Sequence, residues 1–146
     1  MKVRPSAMIL KGESVLTLRY NYGNADVFAL PGGNPDPGEN LSEALVRELT
    51  EELGISAEIN NMVVSGEVIW PEVNREMLHM VFASEISEGI PVLNPEHTTA
   101  LEIVWLPFSA LASTLLYPNV GKYLSKYLEG KKESVHAGVL DQPYIQ

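Results

Sequence analysis

Short runs of apolar and β-branched residues recur along this chain, separated by polar, glycine-containing and proline-containing segments. Runs of this length and composition predict β-strands. The predicted strands cover residues 3–10, 14–20, 27–30, 57–70, 76–86 and 101–106. Prolines and glycines between residues 31 and 39 predict a loop after the third strand.

Two segments carry the apolar spacing of a helix instead. The first covers residues 41–53. Asn40 is a good N-cap, Glu43 completes a capping box, and Gly54 stands where helices commonly end. The second helix covers residues 120–128, and a short helical turn is predicted before it at 108–113. Strands on both sides of one helix, followed by a later helix, predict an α/β protein with a mixed sheet between helices.

The composition is typical of a folded protein, with 45% hydrophobic and 20% charged residues among 146. This length predicts a single domain over residues 1–146. The absence of cysteine excludes disulfides and thiolate chemistry and is compatible with the cytoplasm, where we expect the protein. No apolar run is long enough to cross a bilayer.

The charge balance is acidic, with 10 Lys and Arg against 19 Asp and Glu and a net charge of −9. Nucleic acids and anionic membranes are not expected as partners, because both require a basic surface. A monomer or a homodimer would suit the chain equally well. If its ligand is an anion, the protein needs cations to hold that ligand.

The first predicted helix carries acidic side chains in an unusual place. Its apolar stripe consists of leucines four residues apart, Leu45, Leu49 and Leu53. On a helical wheel Glu48, Glu51 and Glu52 border and overlap this stripe, whereas a solvated helix places its acids opposite its leucines. Like charges at this spacing repel each other, so the arrangement is destabilising unless a positive charge lies between them.

A hard divalent cation would supply that charge. Carboxylates without histidine or cysteine favour Mg²⁺, or Mn²⁺, over zinc. Mg²⁺ bound by a few carboxylates keeps water ligands and binds substrate phosphates, which would let an acidic protein hold an anionic substrate. The alternative is that this glutamate-rich run is only a solvated face, which is the usual explanation of charge runs.

The segment from Gly33 to Ile55 resembles the Nudix box at every fixed position. Five residues separate Gly33 from Glu39, and seven separate Glu39 from Arg47. The other fixed positions are Glu48, Leu49, Glu51, Glu52, Leu53, Gly54 and Ile55. The chain is therefore similar to members of the Nudix hydrolase family, and this similarity favours a metal site over a solvated face.

The resemblance implies a Nudix-like α/β/α sandwich in which the box forms a loop, a helix and a second loop. It implies hydrolysis of a phosphoanhydride bond in a nucleoside diphosphate linked to a group X. The products would be a nucleoside monophosphate and phosphorylated X. ADP-ribose, a nucleotide sugar and a nucleoside triphosphate are all substrates of this type.

The resemblance also implies roles for single residues. The metal ligands would be the box carboxylates and one backbone carbonyl, from Glu48, Glu51, Glu52 and Gly33. Glu48 is also a candidate base for the attacking water. Arg47 would orient the catalytic glutamates together with Glu39, and Gly54 would support the site at the end of the helix.

Residues outside the box are open to two interpretations. Many family members use one more glutamate from a loop, and Glu96 or Glu102 could supply it or be surface acids. Arg19 ends the second strand, where a basic residue often contacts phosphate, although it could equally be a surface arginine. Arg4 and Arg75 are lesser candidates for the same contact.

Aromatic residues could stack on a nucleobase. Trp70 precedes a loop and is the preferred candidate, while Tyr20 and Tyr22 are alternatives. Phe28 is also a candidate, although packing in the core is the simpler explanation for it.

Two hypotheses about function follow. The first is an active pyrophosphohydrolase, and the second is a Nudix-fold nucleotide-binding or regulatory module without turnover. Such modules tend to lose box carboxylates, and this chain keeps all of them. We expect the loops at 22–27, 71–75 and 89–101 to set the choice of substrate.

Overall fold

The computed structural model describes residues 1–131 and 133–145. Strands β1 to β3 cover Lys2–Lys11, Ser14–Tyr22 and Ala25–Ala29, and the helix α1 covers Leu41–Leu53. Strands β4 to β7 cover Ser56–Trp70, Arg75–Glu88, Glu102–Pro107 and Leu116–Tyr117. The helix α2 covers Gly121–Lys126, and the strand β8 covers Val135–Val139. Short 3₁₀ turns cover Pro71–Val73 and Phe108–Ala110, and a π-helical turn covers Tyr127–Lys131.

The strands form one mixed sheet in the order β7-β3-β2-β1-β5-β4-β8, with β6 paired to β2. The pairs β1–β5, β3–β7 and β4–β8 are parallel, and the other pairs are antiparallel. The predicted α/β class with a mixed sheet is therefore confirmed. Among the described residues no helix combines the length and the apolar character needed to cross a membrane.

The hydrophobic core has two parts, because successive residues of a strand point to opposite faces of the sheet. The first part contains Ala7 and Ile9 of β1 together with the leucine stripe of α1. The second part contains Met8 of β1 together with Leu124 of α2. The sheet is thus covered by α1 on one side and by α2 on the other.

The ends of α1 follow the predicted capping pattern. The backbone N–H of Glu43 donates to Asn40 Oδ1 at 2.8 Å, and the N–H of Asn40 donates to Glu43 Oε1 at 3.0 Å. At the other end, Gly54 is left-handed and its N–H donates to the Thr50 carbonyl. The helix begins and ends as predicted because these caps satisfy backbone groups that the helix itself leaves without partners.

The loop before β6 is bonded to the last turn of α1. The N–H groups of Val92 and Asn94 donate to the carbonyls of Leu53 and Glu52 at 3.0 and 2.9 Å. The side chain of Tyr20 in β2 shares a hydrogen bond of 2.9 Å with Thr98 of the same loop. These bonds hold the loop beside the acidic end of the helix.

The last third of the chain differs most from the prediction. The second helix was expected over residues 120–128, but α2 ends at Lys126 and a wider π-helical turn follows. Strands β7 and β8 were not predicted. β7 has only two residues, and β8 is mostly exposed and contains Gly138, so neither carries a strong alternating pattern.

Candidate active site

The three glutamates that border the leucine stripe lie against the body of the protein, as the wheel predicts. The side chains of Glu48 and Glu51 are 16% and 36% exposed, and Glu52 is partly buried. Glu43 on the same helix is exposed and serves only the N-terminal cap. Glu43 is therefore an exposed acid with a role in capping, whereas the other three glutamates lie close together against the protein.

Arg47 binds several of these acids at once. Its Nε and Nη2 donate to the two oxygens of Glu39 at 2.8 and 2.9 Å. Its Nη1 donates to Glu48 Oε1 at 3.1 Å and to Glu51 Oε2 at 3.2 Å. These bonds raise the pKa of Arg47, with the bond to Glu39 as the largest cause, and the same bond lowers the pKa of Glu39. The planar, five-donor guanidinium can span several carboxylates in this way, which a lysine ammonium cannot.

Glu52 has the most perturbed carboxyl group in the site. Burial is the largest cause, and together with the charge of Glu48 and a hydrogen bond with Glu48 it raises the pKa of Glu52 from 4.5 to about 8. The charge of Arg4 acts in the opposite direction. The pair Glu48–Glu52 therefore favours sharing a proton over carrying two negative charges.

Gly33 packs directly against this pair. A Cβ at position 33 would overlap the carboxyl group of Glu48, with Oε2 only 2.7 Å away. The Gly33 N–H donates to the Pro5 carbonyl at 3.3 Å, so the loop is held against the start of β1. The absence of a side chain here leaves the backbone of the loop in contact with the acids of the helix.

The oxygens of Glu48, Glu52 and the Gly33 backbone suit a hard divalent cation. Within residues 1–131 and 133–145, however, no three acidic or histidine side chains form a ready-made metal cluster. Glu51 Oε2 accepts from Arg47 Nη1 at 3.2 Å and lies 3.9 Å from His97 Nδ1. The donor set therefore fits an ion that keeps water ligands and binds only a few carboxylates, as Mg²⁺ does.

Two cavities that share lining residues lie near this loop, and Gly33 lines the first of them. The first, which we call the cationic cavity, has a volume of about 620 Å³ and includes Lys2, Arg4, Arg75 and Gly33 in its lining. The second, which we call the aromatic cavity, has a volume of about 510 Å³. Its aromatic lining residues are Tyr20, Tyr22, Trp70, Tyr117 and Tyr144. Both volumes fall in the range of small-molecule sites, about 300–1,000 Å³.

The cavities share part of their lining, including Arg4, Arg75 and Trp70. Among the described residues neither Arg4 nor Arg75 forms an ion pair, although Arg4 donates to the Leu30 carbonyl and lies over the Tyr117 ring. The cationic cavity therefore has three basic side chains in its lining and one acid, Glu76. A ligand with an anionic part and a planar part could occupy both cavities.

The structure brings only some of the residues predicted outside the box to these cavities. Trp70 lines both of them. Phe28 lines neither, because Val27 and Ala29 on either side of it face the aromatic cavity and Phe28 packs against the core under α2. The sequence could not decide which face of β3 would meet a ligand, since both of its faces are covered.

Arg19 and Glu102 lie elsewhere. They are cross-strand partners on β2 and β6, and Arg19 Nε donates to Glu102 Oε1 at 2.7 Å. Arg19 also pairs with Asp26 at 3.3 Å and lines neither cavity. Tyr20 and Tyr22, which line the aromatic cavity, point to the opposite face of β2 from Arg19, because they are one and three residues away from it. Glu96 lies in the loop that is bonded to the end of α1.

Comparison with known proteins places this site in a family. A family model described as the NUDIX domain matches residues 2–127. The chain belongs to the Nudix family. The Nudix box is thus part of a match that covers most of the chain, and Nudix hydrolases generally use divalent metal ions.

Several relatives of this Nudix protein have hydrolase names. NAD-capped RNA hydrolase NudC of Pseudomonas entomophila (strain L48) is 33% identical over 97 residues, which cover 65% of this chain and 34% of that protein. The putative 8-oxo-dGTP diphosphatase of Bacillus subtilis (strain 168) is 28% identical over 133 residues, which cover 91% and 85%. These names support a Nudix pyrophosphohydrolase, although the chain spans only about a third of the length of the NudC relative.

The fold is also similar to that of solved Nudix structures. The MutT protein from Methanosarcina mazei Go1 superimposes with a TM-score of 0.72 at 22% identity, over 90% of this chain and 96% of that one. At this identity the similarity shows a shared Nudix fold.

The raised pKa of Glu52 predicts a specific pH dependence of stability. In metal-free protein this carboxyl has a folded pKa of about 8 and an ordinary value of 4.5. Its contribution to stability is therefore complete below pH 4.5 and is lost as the pH rises through 8. In EDTA we expect the Tm to fall between pH 5 and 8 more steeply for the wild type than for Glu52→Gln. Parallel Tm profiles of the two proteins would contradict the burial of a charge at this position.

Proposed function

We propose that this Nudix protein is a metal-dependent pyrophosphohydrolase that acts on a nucleoside diphosphate linked to X. Water adds across the phosphoanhydride bridge, and the bridging oxygen leaves with one of the two products, a nucleoside monophosphate and phosphorylated X. The observation that carries this proposal is the position of Gly33, which packs against Glu48 of the crowded glutamates and also lines the cationic cavity. The three glutamates themselves line neither cavity.

Mg²⁺ is the proposed cofactor, with Mn²⁺ as an alternative. Its proposed ligands are the box carboxylates and one backbone carbonyl, from Glu48, Glu51, Glu52 and Gly33. When bound, the ion would neutralise phosphate charge and make water a better nucleophile. Glu51 would have to turn from Arg47 to join the other carboxylates, because its Oε2 lies 3.2 Å from that guanidinium.

The proposed roles of the protein's own residues follow from their contacts. Glu48 accepts a proton from the attacking water, and Arg47 fixes the orientation of Glu48 by a bond of 3.1 Å. Glu39 holds Arg47 in turn, through two bonds of 2.8 and 2.9 Å. Gly54 supports the site by ending the helix, so that the loop of Val92 and Asn94 can bond to its last turn.

For a further catalytic glutamate, the geometry favours Glu96 over Glu102. Glu96 lies two residues beyond Asn94, whose N–H bonds to the carbonyl of Glu52. Glu102 is held by Arg19 at 2.7 Å, and Arg19 points away from the aromatic cavity. The sequence left both acids open because the contact of Glu102 depends on the pairing of two distant strands.

The cavities suggest how a nucleotide is held. Lys2, Arg4 and Arg75 would attract the phosphates in a protein whose net charge is −9. Trp70 and the tyrosines of the aromatic cavity would contact the base. A small nucleotide is therefore the proposed substrate, and the names of the relatives make 8-oxo-dGTP and an NAD-capped RNA end direct test substrates.

A nucleotide-binding module without turnover is the competing hypothesis. The retention of all box glutamates and of the arginine that binds three of them supports turnover. Binding alone would not need three acids that destabilise each other.

The activity depends, in this proposal, on charge at positions 51 and 52. We expect Glu51→Gln and Glu52→Gln to lower kcat by a factor on the order of 10³, with an unchanged circular dichroism spectrum. The matched control is Glu43→Gln on the same helix, which keeps the capping box and should retain activity. The assay measures metal-dependent release of nucleoside monophosphate from ADP-ribose, nucleotide sugars, nucleoside triphosphates and the two test substrates above. Absence of turnover on all of them would favour the binding module.

The cationic cavity gives a separate prediction for phosphate binding. Arg75→Gln should raise KM about tenfold and change kcat by less than about threefold, because it removes a charge that contacts substrate outside the reacting bond. Arg19→Gln is the matched control, since Arg19 lines neither cavity. A KM that rises only in Arg19→Gln would show that the sequence-based assignment of Arg19 was right and that the cavity was chosen wrongly.

A further inference from the structure

The segment that follows β8 lies outside the part of the chain that the family model matches. It nevertheless folds back onto the sheet. The Leu140 N–H donates to the Glu67 carbonyl of β4 at 2.8 Å, and the Leu140 side chain is only 8% exposed. Leu140 lies over Gly66, where an added Cβ would be 2.8 Å from its Cγ. The segment is thus held against the backbone of β4 by one hydrogen bond and by the packing of Leu140 on Gly66.

Gln142 fixes the segment in a second way. Its Nε2 donates to the Leu116 carbonyl at 2.9 Å, and its Oε1 accepts from the Asn119 N–H at 2.6 Å. Its backbone carbonyl accepts from Trp70 Nε1 at 2.8 Å. One glutamine therefore bonds the segment to β7 and to the loop after it, and its carbonyl also holds the Trp70 ring.

This anchoring places the next residues in the wall of the aromatic cavity. Residues 142–145 all line it. The Tyr144 ring meets the Trp70 ring edge-on, with centroids 5.1 Å apart. On the facing β2, Tyr20 and Tyr22 stack on each other at 6.1 Å. The cavity is thus bounded by aromatic rings from separate parts of the chain.

Such a lining suits one class of ligand group. Flat aromatic faces with hydrogen-bonding edges favour a planar heterocycle over a sugar or an alkyl chain. The cationic cavity adjoins it through Arg4 and Arg75, so phosphates attached to the heterocycle would extend towards Gly33. This is the arrangement expected for a nucleobase at one end of a nucleotide.

We propose that residues 142–145 form the selective wall of the nucleobase site, with Tyr144 in contact with the base and Gln142 as the residue that positions the wall. This inference rests on the proposed function and adds to it the part of the chain that selects the base. The segment lies outside the matched region of residues 2–127, so the Nudix box alone does not determine its residues.

The test is a binding measurement that does not require turnover. In a Trp105→Phe background, Trp70 is the only tryptophan and reports on the aromatic cavity. The four common nucleoside monophosphates are titrated with Mg²⁺ present, and ribose 5-phosphate serves as a competitor that lacks a base. Tyr144→Ala should weaken binding of the preferred nucleotide about tenfold and leave ribose 5-phosphate unchanged. Tyr144→Phe should restore the affinity, and Gln142→Ala should reproduce the loss.

Tyr127→Ala is the matched control, because Tyr127 packs against the same core and lines neither cavity. Three results would each overturn the inference. The first is wild-type affinity for the nucleotide in Tyr144→Ala, and the second is an equal loss of affinity for ribose 5-phosphate in that variant. The third is that the Trp105→Phe protein with residues 142–145 unchanged binds none of the four nucleotides. Tyr144-dependent binding without turnover on any substrate would instead refute the proposed function alone. Normal turnover with an unchanged KM in Tyr144→Ala would refute the inference alone.

Discussion

Repulsion among Glu48, Glu51 and Glu52 is the constraint on which the rest of this structure depends. Three carboxylates on adjacent turns of one helix lower stability unless cations oppose them. The fold opposes them with one guanidinium, from Arg47, which bonds Glu48 and Glu51 and is itself held by Glu39. Glu52 is not among the acids that Arg47 bonds, and burial together with the neighbouring Glu48 raises the pKa of Glu52 to about 8. The site is therefore incompletely neutralised by the protein alone.

That residual charge explains the surroundings of the helix. The loop of Gly33 approaches Glu48 so closely that no side chain fits at position 33, which brings the loop backbone near the acids. The cations of the adjoining cavity lie beyond this loop, and Arg4 is close enough to lower the pKa of Glu52. Acids that would hold a cation and arginines that would attract an anion thus lie on either side of the Gly33 loop, which is the arrangement that the proposed phosphoanhydride substrate requires.

The sequence predicts the helix at the centre of this site correctly, but it does not predict which residues outside the helix belong to the site. The bounds of α1, its caps and the inward lean of the three acids follow from local spacing, so they could be read directly from residues 40–54. The ion pair of Arg19 with Glu102 depends on the pairing of strands that are 83 positions apart. The burial of Phe28 depends on which face of β3 meets a cavity, and the position of Tyr144 depends on a segment with little periodicity. The positions of Arg19, Phe28 and Tyr144 are set by tertiary contacts, which local sequence patterns do not contain.

The central claim is that the acidic end of α1 is a divalent-cation site made by Glu52 and its neighbours. The most direct measurement is Mn²⁺ binding, followed by the electron paramagnetic resonance signal of the free ion, in the wild type, Glu52→Gln and Glu43→Gln. The account predicts saturable binding that weakens at least about tenfold in Glu52→Gln and is unchanged in Glu43→Gln. Equal affinity in the wild type and Glu52→Gln would contradict it.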